Sequence, residues 1–475
     1  MLIGRENEIE TLMDCYESDR SEFVAVYGRR RVGKTFLVKE LLEPKFTFYS
    51  TGIPGENKQV QLLSWNHDIA HYGGADFPEA ANWMEAFMNL NRLVERVSLN
   101  GKAAGKKVIF LDEVPWMATM HSDFITGLDY FWNRWASSRK DVLLIICGSA
   151  ASWVIDKVIN NKGGLHNRLT RQILVEPFTL KECEKFLESR RIPITRYQIA
   201  EAYMIFGGIP YYLSLMDPRL SLYQNIDRIY FAQNAALKNE LVNLYRSLYK
   251  NADHYIRVIE TLAQKGIGLS QKDIAFESGI AGGGSLTKIL NDLTVSGFIR
   301  KYKAYGQKKR DSLYQLIDFF SLFDIRFHER RDEYSSDYWL NFSTTSAYSA
   351  WSGVSFEKLC LLHLPSIRRK LGISGVLTAA YSWRGKNEDA GAQIDLVIDR
   401  NDNVINLCEV KFSSDKYTLK KSDIDSLRNK RSAFIGSTRT RKAVVTTMIT
   451  TYGLIRNVHS AEIVSEVTLD DLFDH

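Results

Sequence analysis

The sequence predicts an α/β fold: a doubly wound parallel sheet over residues 1 to about 215, a helical region, and a second α/β domain from about 340 to 475. Three observations carry this prediction. Apolar runs (Phe23–Tyr27, Val108–Leu111, Val142–Cys147) alternate with helix-like stretches such as Leu37–Leu42 and Lys181–Leu187, as in a parallel sheet covered on both faces. Each of the three runs ends in glycine or acidic residues, where such sheets bind ligands. Near the C-terminus, the runs Gln393–Ile398 and Val404–Lys411 flank the turn-forming Asn401-Asp402-Asn403, which predicts an antiparallel pair.

The first run enters Gly28-Arg29-Arg30-Arg31-Val32-Gly33-Lys34-Thr35, and the helix-like Phe36–Leu42 follows. Strand, glycine loop and helix in this order form a P-loop. Its two glycines let the backbone aim several N–H groups at one phosphate beside the positive end of a helix. Lys34 is then expected to reach the β- and γ-phosphates, and Thr35 to place its hydroxyl on Mg²⁺. ATP or ADP with Mg²⁺ are the expected ligands. Arg29, Arg30 and Arg31 lie within the loop without an assigned role.

The second run ends in Asp112-Glu113, placed to hold Mg²⁺ and to orient an attacking water, respectively. The third runs into Gly148-Ser149. Ser149 is either a polar sensor of the γ-phosphate or the N-cap of a helix starting near Ala150. Beyond it, Gly163-Gly164-Leu165-His166-Asn167-Arg168 reads as a polar loop. Arg168 or Arg171 can supply a cation to a transition state, in cis or from a neighbouring subunit, or be a solvated surface residue. His67 and His71 lack a carboxylate at telling spacing, and no chemistry is assigned between Phe46 and Leu99.

Composition sets the setting. With 475 residues, 45% hydrophobic and 25% charged, the chain is long enough for about three domains. Five scattered cysteines form no C-x-x-C pair, so a zinc ribbon or disulfide framework is not indicated, and a reducing cytoplasm is expected. The start of the chain is charged and Val142–Cys147 is too short to span a bilayer, so no membrane partner is expected. A formal net charge of +6 permits an anionic partner without requiring one.

Taken together, Ile3-Gly4-Arg5-Glu6, the Gly28–Thr35 loop, Phe110–Trp116, Gly148-Ser149 and Gly207-Gly208-Ile209-Pro210-Tyr211-Tyr212-Leu213 resemble the archaeal-type ATPase family, in the STAND class of AAA+-related NTPases. The resemblance covers roughly the first 215 residues and implies a nucleotide-dependent switch in which the Gly-x-Pro element leads into a winged helix. It supplies no sensor arginine beyond Pro210.

Residues 216–250 read as a helical connector and 251–335 as a winged helix-turn-helix. Helices are expected over Tyr255–Gln264, from the N-cap Ser270, and over Ser285–Ser296, where Leu286, Ile289, Leu290 and Leu293 share one face. The strand Phe298–Tyr302 follows, and Lys301, Lys303, Lys308, Lys309 and Arg310 then suit phosphate contacts with DNA. The competing role is an intramolecular hinge.

In the last domain, alternation places Glu409 and Lys411 on one face of their strand, with Asp395 opposite Glu409. Asp395 and Glu409 can hold Mg²⁺, Lys411 can position water, and Glu357 on an upstream helix can add a carboxylate. This set resembles the PD-(D/E)xK nuclease core, a restriction-endonuclease-like α/β fold. It also resembles the C-terminal domain fused to many archaeal-type ATPases. A wet strand face carrying an acid and a lysine is the alternative. Arg368-Arg369-Lys370 and Arg428–Arg431 either track a phosphate backbone or are solvated helix faces.

Three functions are compatible with the sequence. The first is an ATP-binding and ATP-hydrolysing switch that controls a metal-dependent nuclease acting on DNA. The second is an ATP-dependent DNA-binding regulator with an inactive nuclease-like domain, and the third a AAA+ remodelling ring. Monomer and nucleotide-dependent homo-oligomer both remain open.

Overall fold

The computed structural model describes residues 2–99, 105–119, 122–160, 165, 167–265, 268–306, 312–331, 337–385 and 393–474. Its contacts divide the chain into two compact units, residues 1–176 with 295–297, and residues 177–294 with 298–475.

The first unit is built on a parallel sheet of β1 (Glu22–Tyr27), β2 (Phe46–Thr51), β3 (Lys107–Asp112), β4 (Val142–Gly148) and β5 (Arg171–Leu174), in the order β2-β3-β4-β1-β5. Strands β3 and β4 are buried along their whole length, as a sheet covered on both faces requires. The order sets β4 between β1 and β3. Whatever follows β4 therefore lies between the residues that follow the other two, and this positions the site. The aromatic segment after β2 proves to be core. Trp65 meets Trp83 edge-on at 5.3 Å between ring centroids, and Trp83 meets Phe124 at 4.8 Å. All three rings are fully buried, and truncating any one to alanine costs about 3–5 kcal/mol.

The second unit begins with two helices, Leu180–Ser189 and Arg196–Phe206, each started by a capping box, Thr179 with Glu182 and Thr195 with Gln198. Further along come the helices Ala252–Lys265, Gln271–Ser278 and Gly284–Val295. With them goes a small sheet of β6 (Leu269–Ser270), β7 (Ile299–Lys303) and β8 (Ser312–Leu316), in the order β6-β8-β7. Ser270 caps the second of these helices through a capping box with Asp273, and Leu286, Ile289, Leu290 and Leu293 are buried together on the third.

The C-terminal sheet comprises β9 (Thr378–Arg384), β10 (Gln393–Arg400), β11 (Val404–Lys411), β12 (Ala443–Thr450) and β13 (Ser465–Thr468), in the order β13-β12-β11-β10-β9. Strands β9, β10 and β11 run antiparallel, whereas β11, β12 and β13 are parallel. The parallel step from β11 to β12 demands a crossover, supplied by the helix Lys421–Thr438. That helix sends Phe434 into a cluster with Val397, Ile405, Leu407 and Trp383. Odd-numbered residues of β11 therefore face it. The helix Ser346–Leu362 lies against the other face, where burial and neighbouring Cys408 raise the pKa of the Cys360 thiol.

Within this unit, Asp227 accepts hydrogen bonds from the backbone N–H groups of Trp339 (2.7 Å) and Leu340 (3.2 Å). Burial nevertheless raises its carboxyl to about 6, because these donors offset only part of the desolvation. Its protonation therefore contributes stability that is full below the ordinary carboxyl value of about 3.9 and lost as pH rises through about 6. Urea unfolding midpoints at pH 5 and pH 8 check this. Asp227→Asn is expected to gain on the wild type as pH rises between them, and an unchanged difference would refute the assignment.

Among the described residues no helix is long and apolar enough to cross a membrane.

Candidate functional site

The loop after β1 folds back at Gly28, whose φ is +145°. A Cβ added there would sit 2.3 Å from the carbonyl oxygen of Val175, so no larger residue fits. Gly33, at φ +93°, starts the helix Lys34–Leu42. Arg31 takes a positive φ of 71°, and the guanidinium of Arg5 donates to the carbonyl of Val32 at 3.2 Å. Arg29 is buried, Val32 is buried and Arg30 is exposed. The chain thus cradles a loop whose N–H groups precede a helix N-terminus, the arrangement that binds phosphate.

Lys34 is 5% exposed, and its Nζ donates to the Arg29 carbonyl at 2.8 Å and to Ser149 Oγ at 3.0 Å. Burial pulls its pKa below the ordinary lysine value, with Glu113 and Asp112 among the groups opposing that shift. A poorly hydrated ammonium next to an anion-binding loop is suited to a phosphate. Ser149 in turn donates to Glu113 Oε1 at 2.6 Å. The helix Ala151–Val154 has Ala150 at its N-cap and no side-chain cap, so the hydroxyl of Ser149 is committed to Lys34 and Glu113.

Thr35 Oγ1 donates to Asp112 Oδ2 at 2.8 Å, and Asp112 Oδ1 accepts the N–H of Glu113 at 2.9 Å. One carboxylate and one hydroxyl in contact suit Mg²⁺, a hard cation that takes its remaining ligands from phosphate oxygens and water. Glu113 itself sits at φ 46°, ψ 43°, a left-handed conformation that costs a non-glycine residue about 1–3 kcal/mol. This strain turns the side chain back toward Ser149.

Arg168 is exposed, its N–H donating to Leu165 at 3.1 Å. Arg171 is exposed on β5, and its guanidinium donates to Thr170. Gly163, Gly164 and His166 lie outside the described residues.

The second constellation lies on β11. Glu409 Oε1 is 3.0 Å from Lys411 Nζ, two residues on along the same face. A third member, Lys430 on the helix Lys421–Thr438, reaches Glu409 Oε2 at 2.7 Å. Burial would raise the Glu409 carboxyl, but Lys430 and then Lys411 outweigh it and hold the group below its usual range. Burial likewise works against the Lys411 ammonium, and Glu409 outweighs it, leaving its pKa raised.

The β10–β11 ladder pairs Leu396 with Cys408 and Val397 with Leu407, and this register carried one residue further sets Asp395 level with Glu409. The side chain of Asp395 lies outside the described part of the structure. Glu357, on the helix that covers the Cys408 face, lines a cavity with Trp383 and Gln393, whereas Glu409 lies on the opposite face. Among the described residues no group of three or more His, Cys, Asp or Glu side chains could hold a metal ion.

Of the basic patches, Lys370 pairs with Asp471 at 2.8 Å, Arg368 donates to the Val376 carbonyl and Arg428 pairs with Glu462. These contacts commit part of each patch to the protein's own surface. Lys308, Lys309 and Arg310 lie outside the described residues.

A parallel sheet with a glycine loop after one strand, an acidic pair after another and a polar residue between them has the α/β fold of P-loop ATPases. Residues 2–216 match the family described as an ATPase domain predominantly from Archaea. An uncharacterized protein of Methanocaldococcus jannaschii is 22% identical over 420 residues, 87% of this chain and 88% of that protein. An uncharacterized ATP-binding protein of the same organism is 42% identical over 45 residues, 10% of this chain and 76% of that protein. A Walker-type ATPase of Pyrococcus abyssi shares the fold, with a TM-score of 0.52 at 16% identity over 68% of this chain and 96% of that one.

Proposed function

We propose that the protein is an ATP-hydrolysing switch whose nucleotide state controls a winged helix and a metal-dependent, PD-(D/E)xK nuclease-like domain acting on DNA. The observation that carries the first half is the continuous chain from Lys34 through Ser149 to Glu113, beside the Thr35–Asp112 pair. Lys34 binds the β- and γ-phosphates. Thr35 and Asp112 would hold Mg²⁺, which supplies charge neutralisation at the phosphates. Glu113 orients the attacking water, and Ser149 reports on the γ-phosphate because it already bridges the lysine that binds it and the glutamate that acts on water.

The second half rests on Glu409 and Lys411 together on one strand face, at the level of Asp395, in a mixed sheet with helices on both faces. There Asp395 and Glu409 would hold Mg²⁺, which supplies Lewis acidity at the scissile phosphate. Lys411 positions water. Support for communication comes from the helix Arg196–Phe206, which leads into Gly207-Gly208-Ile209-Pro210. Its Tyr197 stacks on Phe412, the residue after Lys411, at 4.7 Å, and on Tyr452 at 5.9 Å. A shift of this helix would be felt at the strand that carries the ExK residues.

The second reading, a DNA-binding regulator with an inactive nuclease-like domain, is favoured by one observation. Both oxygens of Glu409 are engaged by lysines, which compete with a cation for that carboxylate.

Steady-state ATPase assays on two variants test the first half. Glu113→Gln is expected to keep ATP binding and lower kcat by about 100-fold. Ser149→Ala is expected to lower kcat about tenfold while leaving binding nearly unchanged. Wild-type turnover in Glu113→Gln would remove Glu113 from its role.

A further inference from the structure

Strand β10 does not run evenly along β9. It pairs Ile394 with Trp383 and Val397 with Tyr381, three steps on β10 against two on β9. Asp395 and Leu396 therefore stand together opposite the single residue Ser382, as a β-bulge. Toward β11 the register is even, with Leu396 opposite Cys408 and Asp395 one residue further, at the level of Glu409. A bulge bends its strand, so the placement of Asp395 depends on how Ser382 is held.

Ser382 lies on β9, the outer strand of the C-terminal sheet, and an outer strand turns backbone groups away from its own ladder. The β7–β8 hairpin meets it there. Ala304, the residue after β7, bridges to Ser382 in parallel, and Tyr305 donates its N–H to the Ser382 carbonyl at 3.1 Å. The ring of Tyr305 is seated beside this contact, edge-on to Tyr381 at 5.4 Å between centroids and 5.0 Å from Phe434. Phe434 lies one helical turn beyond Lys430, the lysine that reaches Glu409 Oε2. Tyr305 thus touches both supports of the Glu409 site. Its backbone holds the strand opposite the bulge, and its ring packs on the helix that carries Lys430. Deeper between the hairpin and β9 is a cavity of about 400 Å³, so the attachment is concentrated at Ala304 and Tyr305.

We propose that Tyr305 is a positioning residue for the Asp395–Glu409 site, and that docking of the β7–β8 hairpin on Ser382 holds the bulge that sets Asp395 level with Glu409. The proposal rests on the reading of these two carboxylates as a metal site. It makes the hairpin, which follows the helix Gly284–Val295, a mechanical input to the C-terminal sheet.

Two measurements on the full chain without nucleotide test it. Hydrogen exchange in peptides from β9 and β10 is expected to quicken at least about tenfold in Tyr305→Ala and to stay within about twofold of wild type in Tyr305→Phe, which keeps the ring and the N–H. Calorimetric titration with Mn²⁺ is expected to show binding that is lost in Asp395→Ala, at least about tenfold weaker in Tyr305→Ala and retained in Tyr305→Phe. Tyr305→Leu, which fills the seat without a ring, is expected to fall between the two. Unchanged exchange across β1–β5 in each variant checks the fold. Asp395-dependent Mn²⁺ binding in Tyr305→Ala within about twofold of wild type would overturn this inference alone, as would unchanged exchange in β9 and β10. Wild-type protein that binds no Mn²⁺, or binds it equally well as Asp395→Ala, would remove the metal-site reading and the inference with it.

Discussion

Lys34→Ala is expected to abolish ATP hydrolysis, lowering kcat/KM by at least about 100-fold. The expectation follows from what the side chain does and from what surrounds it. The ammonium is buried, and its hydrogen bonds to the Arg29 carbonyl and to Ser149 aim it into the phosphate cradle. Water admitted in its place is a neutral dipole and cannot offset charge on the β- and γ-oxygens. The backbone N–H groups of the loop remain, so the loss is of charge rather than of the whole site. Lys34 also holds the Arg29 carbonyl and Ser149, so a urea midpoint measured alongside separates loss of the charge from loss of the fold. Unchanged hydrolysis in Lys34→Ala would refute the P-loop assignment.

The second large effect is expected at the C-terminal sheet, where Asp395→Ala and Lys411→Ala should each lower Mg²⁺- or Mn²⁺-dependent DNA cleavage by on the order of 100-fold or more. In the proposed function, Asp395 would supply one of two carboxylates for the cation. Without it, Glu409 faces two lysines alone and has no reason to recruit a metal. Lys411→Ala leaves the carboxylates but removes the group proposed to orient water. Lys430→Ala distinguishes the two lysines. It frees one oxygen of Glu409, so metal affinity should rise while water positioning by Lys411 persists. Cleavage that survives Asp395→Ala would place the activity elsewhere.

How much of this was legible in the sequence depends on the distance over which each feature is encoded. The Gly28–Thr35 loop was legible because phosphate binding needs contiguous residues with fixed backbone geometry. Asp112, Glu113 and Ser149 were legible as strand ends, because a parallel sheet gathers the ends of its strands. Their mutual hydrogen bonds were not, since these depend on β4 lying between β1 and β3. That Ala150 rather than Ser149 stands at the N-cap follows from where the next helix begins, a local detail that a few residues of drift would reverse.

At the second site, period-two alternation placed Glu409 beside Lys411 and the Asn401–Asn403 turn fixed the register toward Asp395. Lys430 stayed hidden within a basic run that read equally well as a solvated face. Its pairing with Glu409 arises only when the crossover helix packs on the odd-numbered face of β11. The same packing separates Glu357 from Glu409, which helix position in the sequence does not reveal. Arg5 gave only its place in a motif, and its contact with Val32 joins two loops distant in the chain. The stack of Tyr197 on Phe412 is equally nonlocal, as aromatic residues carry no signal of their partner.

The most direct test of control by nucleotide is DNA cleavage measured with Mg²⁺ in the presence and absence of ATP, for the wild type, Lys34→Ala and Asp395→Ala. The account predicts that ATP changes the wild-type rate by at least about fivefold, that Lys34→Ala cleaves at a rate indifferent to ATP, and that Asp395→Ala does not cleave. A wild-type protein that does not cleave, or that cleaves equally fast with and without ATP, would contradict it.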